Sequence, residues 1–80
     1  MSKAEQLQAR LQDANIRYWA GDNISKVMQA GDKEELIAEA TTAFEGVLDA
    51  LVIDRHNDPN SQGTARRLAK MYYNEIMSGR

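Results

Sequence analysis

Asp54 to Gly63 is a polar stretch rich in Asp, Asn, Ser and Gly that holds the only proline of the chain. It separates two segments whose apolar residues recur at helical spacing, so one continuous helix is ruled out. Asn57-Asp58-Pro59 favours a turn, because the residue before a proline is pushed out of the helical region. On the N-terminal side, Leu36, Ile37, Ala40, Phe44, Val47, Leu48 and Leu51 fall on one face, as a core-facing helix requires. Gly46 interrupts this helix at a cost of about 1 kcal/mol relative to Ala, or lets a neighbouring helix approach closely. Leu51-Val52-Ile53 is too short to distinguish from a buried strand by periodicity and is taken as the end of the same helix. On the C-terminal side, Ala65, Leu68, Ala69, Tyr72 and Ile76 form the expected buried face of a last helix, capped by Asn60 or Ser61.

Two further helices are expected upstream. Ser2 with Glu5 is a capping-box pattern that starts a helix near Lys3. Leu7, Leu11, Ala14 and Tyr18 continue it, and Gly21 suits a left-handed cap after Trp19-Ala20. Asp22 or Asn23 can cap a short second helix carrying Ile24, Val27 and Met28, with Gly31 ending it. Asp32 and Glu35 repeat the capping-box logic and open the third helix. No segment has a convincing strand pattern. The chain is therefore expected to be all-α, a small bundle of three to four helices in one domain. Residues 1–53 form a helical extension, 54–63 a polar turn and 64–80 a C-terminal helix.

Eighty residues bury only about 60–65% of the surface exposed by the unfolded chain. Below roughly 80 residues a single core rarely supplies more than about 3–5 kcal/mol. There is no cysteine for a disulfide, and one histidine without a thiolate makes a structural zinc site implausible. Oligomerisation, or packing against a larger body, is the remaining way to gain buried area. The net charge of −2 is too small to steer a partner. The N-terminus lacks the pattern of a signal peptide, and no apolar run approaches the length of a membrane span. A soluble cytoplasmic protein is the expectation.

The chemistry-bearing side chains are sparse. Asp54, His56 and Asp58 alternate in the linker, but Asx residues are favoured in turns for backbone reasons alone. Ser2, Ser25, Ser61 and Ser78 sit at expected caps or ends, and the glycines lack phosphate-loop spacing. No catalytic, cofactor-binding or metal-ligating residue is assigned. Trp19 is expected to cover a core edge rather than stack on a ligand. Arg66, Arg67 and Lys70 form a basic patch on the last helix, with Arg80 beyond; Arg66 and Lys70 share a face. Tyr73 is expected to be exposed or to meet a partner. Arg66, Arg67, Lys70 and Tyr73 are thus the candidate interaction surface. Nucleic acid is a disfavoured partner, since Asp58 and Glu75 flank the patch and the footprint is narrow.

Asp58-Pro59-Asn60, then Thr64-Ala65-Arg66-Arg67-Leu68-Ala69-Lys70-Met71-Tyr72 and Glu75-Ile76-Met77-Ser78-Gly79, resembles the segment that leads into the catalytic domain of GTP cyclohydrolase I. A weaker likeness runs through Gly21-Asp22-Asn23-Ile24-Ser25 and Phe44-Glu45-Gly46-Val47-Leu48. Ala65 stands where many members have proline, which relaxes the helix start without preventing it. The resemblance implies an antiparallel C-terminal helix pair on the outside of a toroidal homo-oligomer. It also implies a parent hydrolase that converts GTP to 7,8-dihydroneopterin triphosphate and formate, a pterin chemistry that can feed tetrahydrofolate biosynthesis. In that family a zinc ion held by two Cys and one His generates the attacking hydroxide. The family's zinc ligands, catalytic His and triphosphate-binding residues fall downstream of Arg80. The resemblance thus implies the N-terminal helical region of a longer enzyme, inactive alone and without a cofactor of its own. Its partners would be its own catalytic domain or sister subunits. The alternative is a stand-alone helical module that binds a protein partner.

Overall fold

The computed structural model describes residues 1–78. It is all-helical: α1 spans Lys3–Asp13, a single 3-10 turn spans Ser25–Val27, α2 spans Asp32–Ala50 and α3 spans Thr64–Ser78. Gly79 and Arg80, which the sequence places in the last helix, lie outside the described residues. Among the described residues there is no helix long and apolar enough to cross a membrane.

The expected capping box opens α1. Ser2 Oγ accepts the Glu5 amide at 3.1 Å, and Glu5 Oε1 accepts the Ser2 amide at 3.2 Å. The helix then stops well short of Gly21. Asn15 takes the left-handed conformation at φ 56°, its amide donates to Gln12 O, and the Ile16 amide donates to Leu11 O at 2.8 Å. This pair of bonds is a Schellman closure, and Asn is the residue besides Gly that tolerates it best. The apolar spacing continues through Tyr18, but the left-handed turn at Asn15 ends the helix, and Gly21 sits in a later turn.

The expected second helix is reduced to the 3-10 turn, with Asn23 Oδ1 accepting the Ser25 amide at 2.8 Å. Gly31, at φ 88°, precedes α2 and occupies its N-cap position. Asp32 is the first helical residue rather than the cap, and its carboxylate turns away to other partners. At the far end α2 stops at Ala50. Val52 is left-handed at φ 61°, its amide donates to Asp49 O, and the Ile53 amide donates to Leu48 O. Leu51-Val52-Ile53 is therefore a second Schellman closure and not a further stretch of helix.

The linker is built from its own polar side chains. Asp54 accepts from the amide and the side chain of Asn57, while Asp58 accepts the Asn60 amide and Ser61 Oγ. Neither Asn60 nor Ser61 caps α3 as expected. Gly63, at φ 76°, makes the final turn, and its carbonyl accepts the first helical bond from Arg67.

α3 packs chiefly against α2, in the most extensive seam of the molecule. The pair is antiparallel. Leu36 and Met77 line one groove, whereas further along α2 the Phe44 ring stacks on Tyr72 with centroids 5.6 Å apart. Ala65 and Ala69 are the buried residues of α3, Ile37 and Leu48 the buried apolar residues of α2, and Leu7 and Leu11 those of α1. Tyr72 and Ile76, expected in the core, are about half exposed, and so is Val47; Leu51 is exposed further still. The small side chains of Ala65 and Ala69 bring the two backbones together, which leaves the bulky neighbours at the rim. Tyr73 is the more buried of the two adjacent tyrosines.

Candidate functional site

Of the residues singled out from sequence, Arg66, Arg67 and Lys70 are all exposed on α3. Arg67 donates to Thr64 Oγ1 at 3.3 Å, one turn before it. Tyr73 is half-buried. The Lys33 ammonium lies 5.7 Å from its ring centroid, within the range of a cation–π contact. Tyr73 also borders an open groove of about 400 Å³ with Asn23, Ile24, Met28 and Met77. Helical spacing puts Arg66, Lys70 and Tyr73 on one side of α3 and Arg67 about a quarter-turn away.

A second surface was not singled out from sequence. Ala43, Gly46, Val47, Ala50 and Leu51 fall within one side of α2, and all are exposed. A Cβ placed on Gly46 would meet nothing within 4 Å, so among the described residues no helix approaches closely there. Val52, past the helix end, has 92% of its surface exposed. A β-branched residue at positive φ is uncommon and strained. The stripe thus joins small residues and two larger apolar side chains, with the strained, exposed Val52 following the helix end. Arg55 folds back onto the helix, pairing with Glu45 at 3.1 Å and Asp49 at 2.9 Å.

Charged side chains cluster at the other end of α2. Asp32, 3% exposed, accepts from Arg10 Nη1 at 2.9 Å and from the Gln29 amide at 2.9 Å, and pairs with Lys3 Nζ at 3.2 Å. The Gln29 bond above all, then Lys3 and Arg10, hold its carboxyl below the usual range against the opposing effect of burial. Lys3 is raised by the same partnership with Asp32 and, less strongly, by Glu35. The Lys3 and Arg10 contacts join elements far apart in sequence, so the capping pattern Asp32-x-x-Glu35 gave no sign of them.

Around the first loop, Asp22 receives a two-pronged ion pair from Arg17 at 2.8 and 2.9 Å and also the Trp19 amide. The Arg17 guanidinium lies 4.1 Å from the Trp19 ring centroid. One face of Trp19 is thus occupied from within the chain. In the linker, Asp54 is held below the usual carboxylate range, chiefly by the Asn57 side chain. Among the described residues there is no group of three or more His, Cys, Asp or Glu that could hold a metal ion.

The chain matches no protein-family profile, no curated protein and no solved structure.

Proposed function

We propose that this chain is a helical packing and assembly module, the N-terminal region of an enzyme of the GTP cyclohydrolase I type. The observation that carries the assembly role is the exposed α2 stripe of Ala43, Gly46, Val47, Ala50 and Leu51. Small residues at a helix surface permit close approach of another helix, and flanking aliphatic side chains supply apolar area to bury. Met71, Tyr72 and Ile76 of α3 add further exposed apolar surface. A chain of this size gains stability most readily by covering such a face.

The enzyme family rests on the sequence motif from Asp58 to Gly79. Its Thr64–Tyr72 portion lies within α3, and the antiparallel α2–α3 pair agrees with the arrangement the resemblance implies. The chemistry of the parent reaction would belong to a separate catalytic domain, where zinc would activate water.

The test combines the chain with a GTP cyclohydrolase I catalytic core stripped of its own helical region, followed by light scattering after size exclusion. Co-assembly at tens of micromolar is expected from apolar faces of this kind, on the order of the weaker specific interfaces. Leu51→Lys should abolish it without lowering the melting temperature. Lack of co-assembly would remove the enzyme-specific reading. A strictly monomeric chain, with or without the core, would remove the assembly role as well. Formate release from GTP and zinc by the 80-residue chain alone would overturn the division of labour.

A further inference from the structure

The seam between α1 and α2 differs in kind from the rest of the molecule. It is a smaller contact than that between α2 and α3. Two carboxylates of α2 organise much of it. Glu39 accepts the backbone amides of Lys3 and Ala4, so a side chain of α2 satisfies open donors at the N-terminus of α1. Asp32 holds Lys3 at the start of α1 and Arg10 near its end. Arg10 Nη1 also donates to Val27 O, tying the helix to the 3-10 turn.

The apolar part of the seam is slighter. Leu7 and Leu11 are buried, yet an open groove of about 200 Å³ runs between them and Ile24, Leu36 and Met77. A groove open to solvent leaves its lining with packing partners on one side only. α1 is also joined to α2 through residues 14–31, which hold only one short 3-10 turn, so the helix could leave without dragging a rigid element along.

We propose that α1 is an acid-releasable strap: neutralising Asp32 frees it from α2 and removes the Leu7 and Leu11 wall of the open groove of Ile24, Leu36 and Met77, while the α2–α3 pair stays folded. The charged groups facing Asp32 are Lys3 and Arg10 from α1, with Glu35 of α2 sharing Lys3. The other nearby cations are engaged or directed elsewhere: Lys33 lies at the Tyr73 ring of α3, and Lys26 of the 3-10 turn is exposed.

The direction in pH follows from the partnerships. Asp32 has a depressed pKa in the fold, so its contribution is complete above the ordinary value of about 3.9 and is lost as pH falls through the depressed one. Lys3 has a raised pKa, so its contribution is complete below about 10.4 and is lost only as pH rises through the raised value. Release therefore belongs to strong acid.

Residue-resolved NMR of the whole chain from pH 7 to pH 2.5 tests the strap. The signals of Leu7 and Leu11 should collapse toward unfolded positions first, while those of Leu48 and Ala69 persist. At neutral pH, Asp32→Asn should lower amide protection in α1 by about tenfold or more, as expected for losing hydrogen bonds to a charged group. Protection in α2 and α3 should hold. Lys3→Met, which leaves Asp32 paired with Arg10, should move the release to higher pH. Loss of all three helices together, in the titration or in Asp32→Asn, would overturn the proposal. So would an α1 that stays protected to the end of the titration.

Discussion

The two seams of this small bundle are held by different physics. Between α2 and α3, Ala65 and Ala69 let the backbones approach, and Ile37, Leu48 and the Phe44–Tyr72 stack add apolar contact. Between α1 and α2, buried and half-buried charges share the work with two leucines beside an open groove. Apolar packing is nearly indifferent to pH, whereas a seam organised by carboxylates depends on their ionisation. One sequence thus contains a permanent helix pair and a conditional third helix.

The sharpest way to break the contrast is to hollow the permanent seam. Leu48→Ala should cost about 2–4 kcal/mol, at the lower part of the range for buried leucines because Leu48 lies near the surface. Urea unfolding followed by circular dichroism should show all helices melting earlier and together, since α1 has no other body to pack against. Ala69→Leu attacks the same seam from the opposite direction. Ala69 is only 1% exposed, so the added side chain should force the helices apart at a cost of about 1–3 kcal/mol. The Phe44–Tyr72 ring-current shifts should weaken in the same variant.

Two smaller changes sharpen the comparison without touching either seam. Gly46→Ala should stabilise α2 by about 1 kcal/mol, because the new methyl group meets open space and the helix loses a glycine. If the exposed stripe is an assembly face, the same variant should weaken association while raising the melting temperature of the isolated chain. The two helix ends supply the finest comparison. Both close by the same pair of hydrogen bonds, but α1 places Asn15 at the left-handed position and α2 places Val52 there. Val52→Gly should gain about 0.5–1 kcal/mol in thermal unfolding, as relief of left-handed strain outweighs the added backbone freedom. A loss of stability there would mean that the exposed Val52 side chain has a contact that offsets its strain.

Much of the fold was legible in the sequence. The capping box at Ser2, the helical periodicity of α2 and α3, and the polar linker around Pro59 are local signals, and the box, the two helices and the break between them formed as expected, although Val47, Leu51, Tyr72 and Ile76 of the expected buried faces are exposed. The two helices that stop early do so for one reason: a left-handed residue, Asn15 or Val52, closes the helix while apolar residues continue beyond it. The candidate basic patch was legible as far as its spacing. The α2 stripe was hidden, because Val47 and Leu51 belong by spacing to an apolar face as readily as to an open one.

What the sequence determined by itself was the helical class, the break between the last two helices and the lack of cysteine. These follow from side-chain periodicity, backbone restriction and composition, all of which act over a few residues. Tertiary structure decided which apolar residues are covered, that Asp32 reaches Lys3 and Arg10 rather than capping its own helix, and that alanines form the close seam. The physical reason is that burial and ion pairing depend on distances between residues remote in the chain, and those distances exist only once the helices have packed.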